Sequence, residues 1–114
     1  MKPVYKIVDA NLWKVAEACG TFTGSDADKR DGFIHLSTAA QLERTARTHF
    51  RGLDDLLLIA VDATHLGNAL KYEASRSGDR FPHLYATLPM AAVRSVRPLP
   101  LDAEGNPVLP NGLD

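Results

Sequence analysis

The chain has 114 residues, 45% hydrophobic and 24% charged, the size and make-up of one ordinary globular domain with a single core. Thirteen basic and fourteen acidic side chains leave a formal net charge of -1, which excludes a global field that would draw the protein to nucleic acid or an anionic membrane and leaves room only for a local basic patch. The single cysteine, Cys19, excludes an intrachain disulfide and cannot by itself hold zinc, which suits a reducing cytosol.

The opening MKPVYKIVDANLW lacks the apolar stretch of a secretory signal. Val4–Val8 is β-branched and aromatic enough for a strand, and Asp9 closes it while offering an N-cap. Asn11–Cys19 reads as a short helix stopped by Gly20, with Leu12, Val15, Ala16 and Cys19 on one face and Cys19 as a small buried apolar residue. Trp13 packs this helix onto a sheet. Thr21–Arg30 is polar and reads as a loop, or at most one helical turn. Asp26, Asp28 and Asp31 do not meet the pattern of a calcium loop, so solvated surface is expected for them.

Gly32–Leu36 reads as a short strand in which His35 faces away from Ile34 and Leu36, with Ser37 on the His35 side. Thr38 and Gln41 fit a capping box opening a helix on which Leu42, Ala46 and Phe50 recur at helical spacing. An imidazole and a hydroxyl are thereby placed beside unpaired helix amides, a place to hold a polar or anionic ligand. Arg44 and Arg47 read as a solvated face of this helix. Gly52 ends the segment.

Leu56–Val61 is an uninterrupted apolar run, read as a central strand covered on both faces and far short of the about 20 residues of a membrane span. A soluble cytoplasmic protein without a membrane partner is expected. Asp62–Asn68 is a turn or short irregular helix, and His65, like His49, is expected to be exposed and idle. Ala69–Glu73 reads as a strand with Leu70 and Tyr72 on one face and Lys71 and Glu73 on the other. Ser75–Arg80 is a turn. In Phe81–Tyr85, Pro82 stiffens the backbone so that His83 is presented from an extended segment with Tyr85 on its side. A short turn at Pro89–Ala92, a strand at Val93–Leu99 and an irregular tail at Pro100–Asp114 complete the chain. Domain limits of 1–99 with a tail of 100–114 follow. Helices gathered in the first half and strands in the second argue α+β.

GFIHLST at Gly32–Thr38 with Gln41, Glu73, FPHLY at Phe81–Tyr85 and Trp13 resembles a small bacterial family known as domain of unknown function 952, over nearly the whole chain up to Leu99. The resemblance implies a split β-sandwich of the ADP-ribosyltransferase-like type with two main helices, and a nucleotide cleft. The HLS strand is similar to that of the RNA 2'-phosphotransferases, which use NAD. What this implies is NAD or ADP-ribose as ligand and glycosyl or phosphoryl transfer as chemistry. The resemblance places His35 against the ribose or adenine side of NAD with Ser37 beside it; taken with the residues' own chemistry, His35, Glu73 and His83 are expected to be catalytic and Lys6, Ser37, Thr38 and Tyr85 to meet the cofactor. No metal is implied.

In the related transferases a first-strand His holds the nicotinamide ribose. Lys6 stands at the matching position, which favours binding over NAD catalysis. Glu73 and His83 remain alternatives for the third, often acidic, position. A non-catalytic interaction module on the same fold, using the FPHLY segment or an exposed strand edge, is the other reading; convergence of His35, Glu73 and His83 separates the two.

Overall fold

A computed structural model of the chain describes residues 2–75 and 78–113. Arg76 and Ser77, within the expected 75–80 turn, lie outside the described residues. The elements in order are β1 (Pro3–Asp9), α1 (Ala10–Cys19), β2 (Thr21–Phe22), α2 (Asp26–Asp31), β3 (Ile34–His35), α3 (Leu42–His49), β4 (Leu56–Asp62), α4 (Ala63–Leu66), β5 (Leu70–Ala74), β6 (Arg80–Leu84), β7 (Leu88–Pro89) and β8 (Val93–Leu99). A 3-10 turn at Ala39–Gln41 leads into α3, and others follow α4 and β7. The class is α+β, and every sheet is antiparallel.

The first sheet has the order β1-β4-β8, with β4 and its apolar run Leu56–Val61 in the middle. Its two faces carry separate cores, because successive side chains of a strand point to opposite sides. Val4, Val8, Ile59 and Val61 meet Trp13, Phe22, Ile34 and Leu84 on one face. Tyr5, Ile7, Leu58 and Ala60 meet Leu42 and Ala46 of α3 on the other, where Leu109 and Leu113 of the C-terminal segment also pack. Length alone predicts one core; a sheet covered on both faces divides it in two. The segment beyond Leu99 is irregular apart from a bridge between Leu101 and Pro107.

The second sheet has the order β3-β6-β5, and β2 pairs with β7. Residues 34–37 stitch the two larger sheets together. Ile34 and His35 pair with Leu84 and His83, the Leu36 amide donates to the Pro82 carbonyl at 3.0 Å, and Ser37 exchanges backbone hydrogen bonds of 2.8 and 2.9 Å with Tyr5. Lys6, next to Tyr5, is thereby brought close to His35 and its neighbours.

Local chemistry explains the helices. Asp9 caps α1 by accepting the amides of Asn11 and Leu12 at 2.9 and 3.1 Å, and Gly20 ends it with a positive φ of 87°. The buried stripe of α1 is Trp13 and Ala16 with Leu12 beside them, while Val15 and Cys19 are exposed. The expected face is therefore rotated, because the indole of Trp13, against Phe22 at 5.6 Å between ring centres, sets which side turns inward. The stretch Thr21–Arg30, expected as a loop or at most one helical turn, holds β2 and all but the last residue of the six-residue α2. No helix among the described residues is long and apolar enough to cross a membrane.

Candidate functional site

Register and alternation gather one set of side chains on a single face of the second sheet. His35 lies opposite His83, and His83 opposite Lys71, while Glu73 lies opposite Phe81. Ile34, Leu84 and Leu70 turn to the other side and join the core. Phe33, two residues before His35, lays its ring on the His83 ring at 4.0 Å and 24°, and lies 4.6 Å from His35 and 5.3 Å from Tyr85 between centres. The two imidazoles meet edge-on at 5.8 Å.

Two carboxylate systems brace these rings. Glu73 Oε1 accepts from the Tyr85 hydroxyl at 2.6 Å and lies 2.9 Å from His83 Nδ1. The Tyr85 and His83 hydrogen bonds hold the Glu73 carboxyl below its ordinary range, while the same bond raises the Tyr85 phenol. His35 stands between Asp28, 2.6 Å from Nδ1, and Asp31, 2.9 Å from Nε2. Carboxylate oxygens only accept, so both bonds form together only on a ring carrying both protons.

Asp28 is the hub beneath His35. Its Oδ1 accepts from the His35 amide at 3.0 Å and from Lys6 Nζ at 3.1 Å; its Oδ2 accepts from the Ser25 amide at 2.9 Å and contacts Lys6 Nζ at 3.0 Å. Burial alone would push this carboxyl up. The His35 side-chain bond, the Lys6 charge and the His35 and Ser25 amides together hold it well below the usual carboxylate range. Burial in turn draws the Lys6 ammonium below its ordinary value against the pull of Asp28.

His35, His83, Glu73 and Tyr85 thus converge on one face, with Lys6 reaching it through Asp28. Lys6 is buried and its charge is engaged by Asp28, so it does not face a ligand. Ser37 and Thr38 lie elsewhere. The Ser37 hydroxyl is 3.0 Å from that of Thr45 on α3, and Thr38 forms the expected capping box with Gln41, whose Oε1 accepts the Thr38 amide at 3.0 Å. His49 and His65 are exposed. Beside the cluster is a shallow hollow of about 340 Å³ lined in part by Thr23, Asp28, Lys29, Phe33, Tyr85 and Thr87. The imidazoles border it rather than form its wall. Among the described residues no group of three His, Cys, Asp or Glu side chains is placed to hold a metal.

Asp28, Asp31 and Phe33 have no functional part in the sequence reading. Phe33 and Asp31 had a signal, one alternating with His35 and the other four residues before it. The burial of Asp28 had none, since it depends on Lys6 arriving from β1.

The fold and this face define a small α+β domain carrying two carboxylate-braced imidazoles around an aromatic ring. The chain belongs to the family described as "Protein of unknown function (DUF952)", whose model matches residues 7–96. It is similar to the crystal structure of protein CC0527 from Caulobacter crescentus, with 49% identity over 93% of each chain and a TM-score of 0.90. The solution NMR structure of CC0527 matches with 50% identity over 94% of this chain and 92% of that one, at a TM-score of 0.85. No curated protein matches the chain.

Proposed function

We propose that the imidazole and aromatic face is a ligand face, that the fold is of the ADP-ribosyltransferase-like type, and that the protein binds the ribose-bearing part of a nucleotide such as NAD or ADP-ribose, with glycosyl or phosphoryl transfer as the associated chemistry. The observation that carries this reading is His83, braced by Glu73, stacked on Phe33 and opposite His35. Glycosyl transfer builds positive charge on the sugar, and an ionised carboxylate beside an imidazole stabilises such charge and bonds ribose hydroxyls. Phe33 and Tyr85 offer rings at the hollow. Lys29, on the hollow's wall, is placed to meet a diphosphate better than buried Lys6.

Titration calorimetry with NAD, ADP-ribose and nicotinamide tests the reading. Heat is expected with NAD or ADP-ribose, lost in His83→Ala and Glu73→Gln. No heat and no thermal shift of the unaltered protein at millimolar ligand overturns it.

A non-catalytic interaction module has its own supporting observation. Strands β5 and β8 are sheet edges, and each carries an exposed apolar side chain, Tyr72 and Val96. A mass above that of one chain in sedimentation, abolished by Val96→Lys or Tyr72→Lys, is the outcome that favours it.

A further inference from the structure

We infer that His83 Nε2 is the proton-accepting atom of this face, taking the hydrogen of a hydroxyl on the bound molecule, and that His35 positions rather than reacts. The inference rests on the proposed function only for what the hydroxyl belongs to.

Glu73 is ionised and offers only acceptor oxygens, so the 2.9 Å contact with Nδ1 is a hydrogen bond when Nδ1 carries the proton. In the neutral ring the lone pair is then on Nε2. Tyr85 donates to the same Glu73 oxygen at 2.6 Å and fixes the carboxylate. Phe33, stacked at 4.0 Å, fixes the plane of the ring. Among the described residues Nε2 has no hydrogen-bond partner, yet the one buried side-chain polar atom left unsatisfied is Trp13 Nε1. His83 Nε2 is therefore not sealed from solvent, although the residue is only 8% exposed. His35 differs in kind, for both its ring nitrogens are engaged, by Asp28 and Asp31.

The step this arrangement serves is simple in its balance. The hydroxyl O–H bond breaks, its proton joins Nε2, and its electron pair stays on oxygen, which bonds to an electrophilic sugar carbon or phosphorus. The leaving group departs with the pair of the broken bond, and the imidazolium returns its proton to that group or to water. Glu73 stabilises the imidazolium throughout.

Long-range proton–nitrogen NMR of the full chain labelled at histidine reads the tautomer without any ligand. His83 is expected to be protonated at Nδ1 and bare at Nε2, and Glu73→Gln, whose amide can donate to Nδ1, is expected to shift the ring toward the Nε2–H form. A proton resident on Nε2 in the unaltered protein overturns the inference. Adding ADP-ribose, and separately free ribose, should move the Nε2 resonance of His83 while the His35 ring resonances stay in place. Binding that leaves Nε2 unmoved overturns the hydroxyl assignment. A bare Nε2 that moves with ribose but not with ADP-ribose sustains the inference while refuting the nucleotide reading.

Discussion

Asp28 shows how one buried charge becomes tolerable. Its two oxygens meet a Lys ammonium, an imidazole and two amides, close to the full acceptor capacity of a carboxylate. Because its folded value is depressed, Asp28 stays ionised in the folded chain where it would protonate in the unfolded one. It therefore contributes stability above the unfolded value of about 3.9, and that contribution is lost as pH falls from there toward the folded value. Urea midpoints of the unaltered protein and Asp28→Asn should differ most at neutral pH and draw together below about pH 4. A gap that stays constant into strong acid would refute the assignment. Removing the other partner is costly too: Lys6→Met leaves the carboxylate buried without its cation and is expected to lose about 3 kcal/mol. Tyr85 gives a spectroscopic check on the Glu73 side. A phenolate beside Glu73 is repelled and loses its bond, so the phenol ionises above its ordinary value. Glu73→Gln should bring one tyrosine transition down toward about pH 10 in an absorbance titration.

The short helix α2 exists to deliver Asp28 and Asp31. Six residues are too few for a stable isolated helix, so its ends do much of the holding: Ser25 and Asp28 cap each other's amides and Gly32 closes the far end with a positive φ of 86°. Gly24 is required just before it. At φ 113° an added Cβ would lie 2.9 Å from the Asp28 Cβ, backbone strain and collision together. Gly24→Ala should therefore cost more than the about 1 kcal/mol of ordinary backbone strain and should displace the His35 resonances, whereas Gly20→Ala, with open space around its Cβ position, should leave those resonances in place. Among the elements, those with a local signature were legible in the sequence: Asp9 and Gly20 bound α1, the run from Leu56 marks β4, and Thr38 with Gln41 opens the segment leading to α3. Strand β2 has only two residues, too few for a periodicity to show, and α2, charged at every position but Ala27, has an inward side that is visible only once Lys6 and His35 surround Asp28.

At the scale of the whole molecule the same division holds. Lys71 with Glu73, and His83 with Tyr85, were legible as pairs sharing a side because alternation is a local property, whereas the meeting of these pairs with His35 rests on β6 lying between β3 and β5. Their link to Lys6 was not legible either, since it depends on residues 34–37 joining two sheets. The C-terminal segment is the other long-range feature. Irregular in sequence and structure, it nonetheless returns to the body of the protein: the Gly52 amide donates to the Gly105 carbonyl and the Val108 amide to the Pro100 carbonyl, both at 2.7 Å. Leu109 and Leu113 then cover the core between the first sheet and α3. Removing the chain from Pro100 onward uncovers that apolar face and unpairs the Gly52 amide. The shortened chain should unfold at lower urea, with a loss on the order of 2 kcal/mol from the two leucines. Because this core lies across the first sheet from the imidazoles, the histidine tautomers should be unchanged in whatever fraction remains folded. An unchanged urea midpoint would make the segment an appendage, and altered His83 resonances would mean that the two faces of the sheet are coupled.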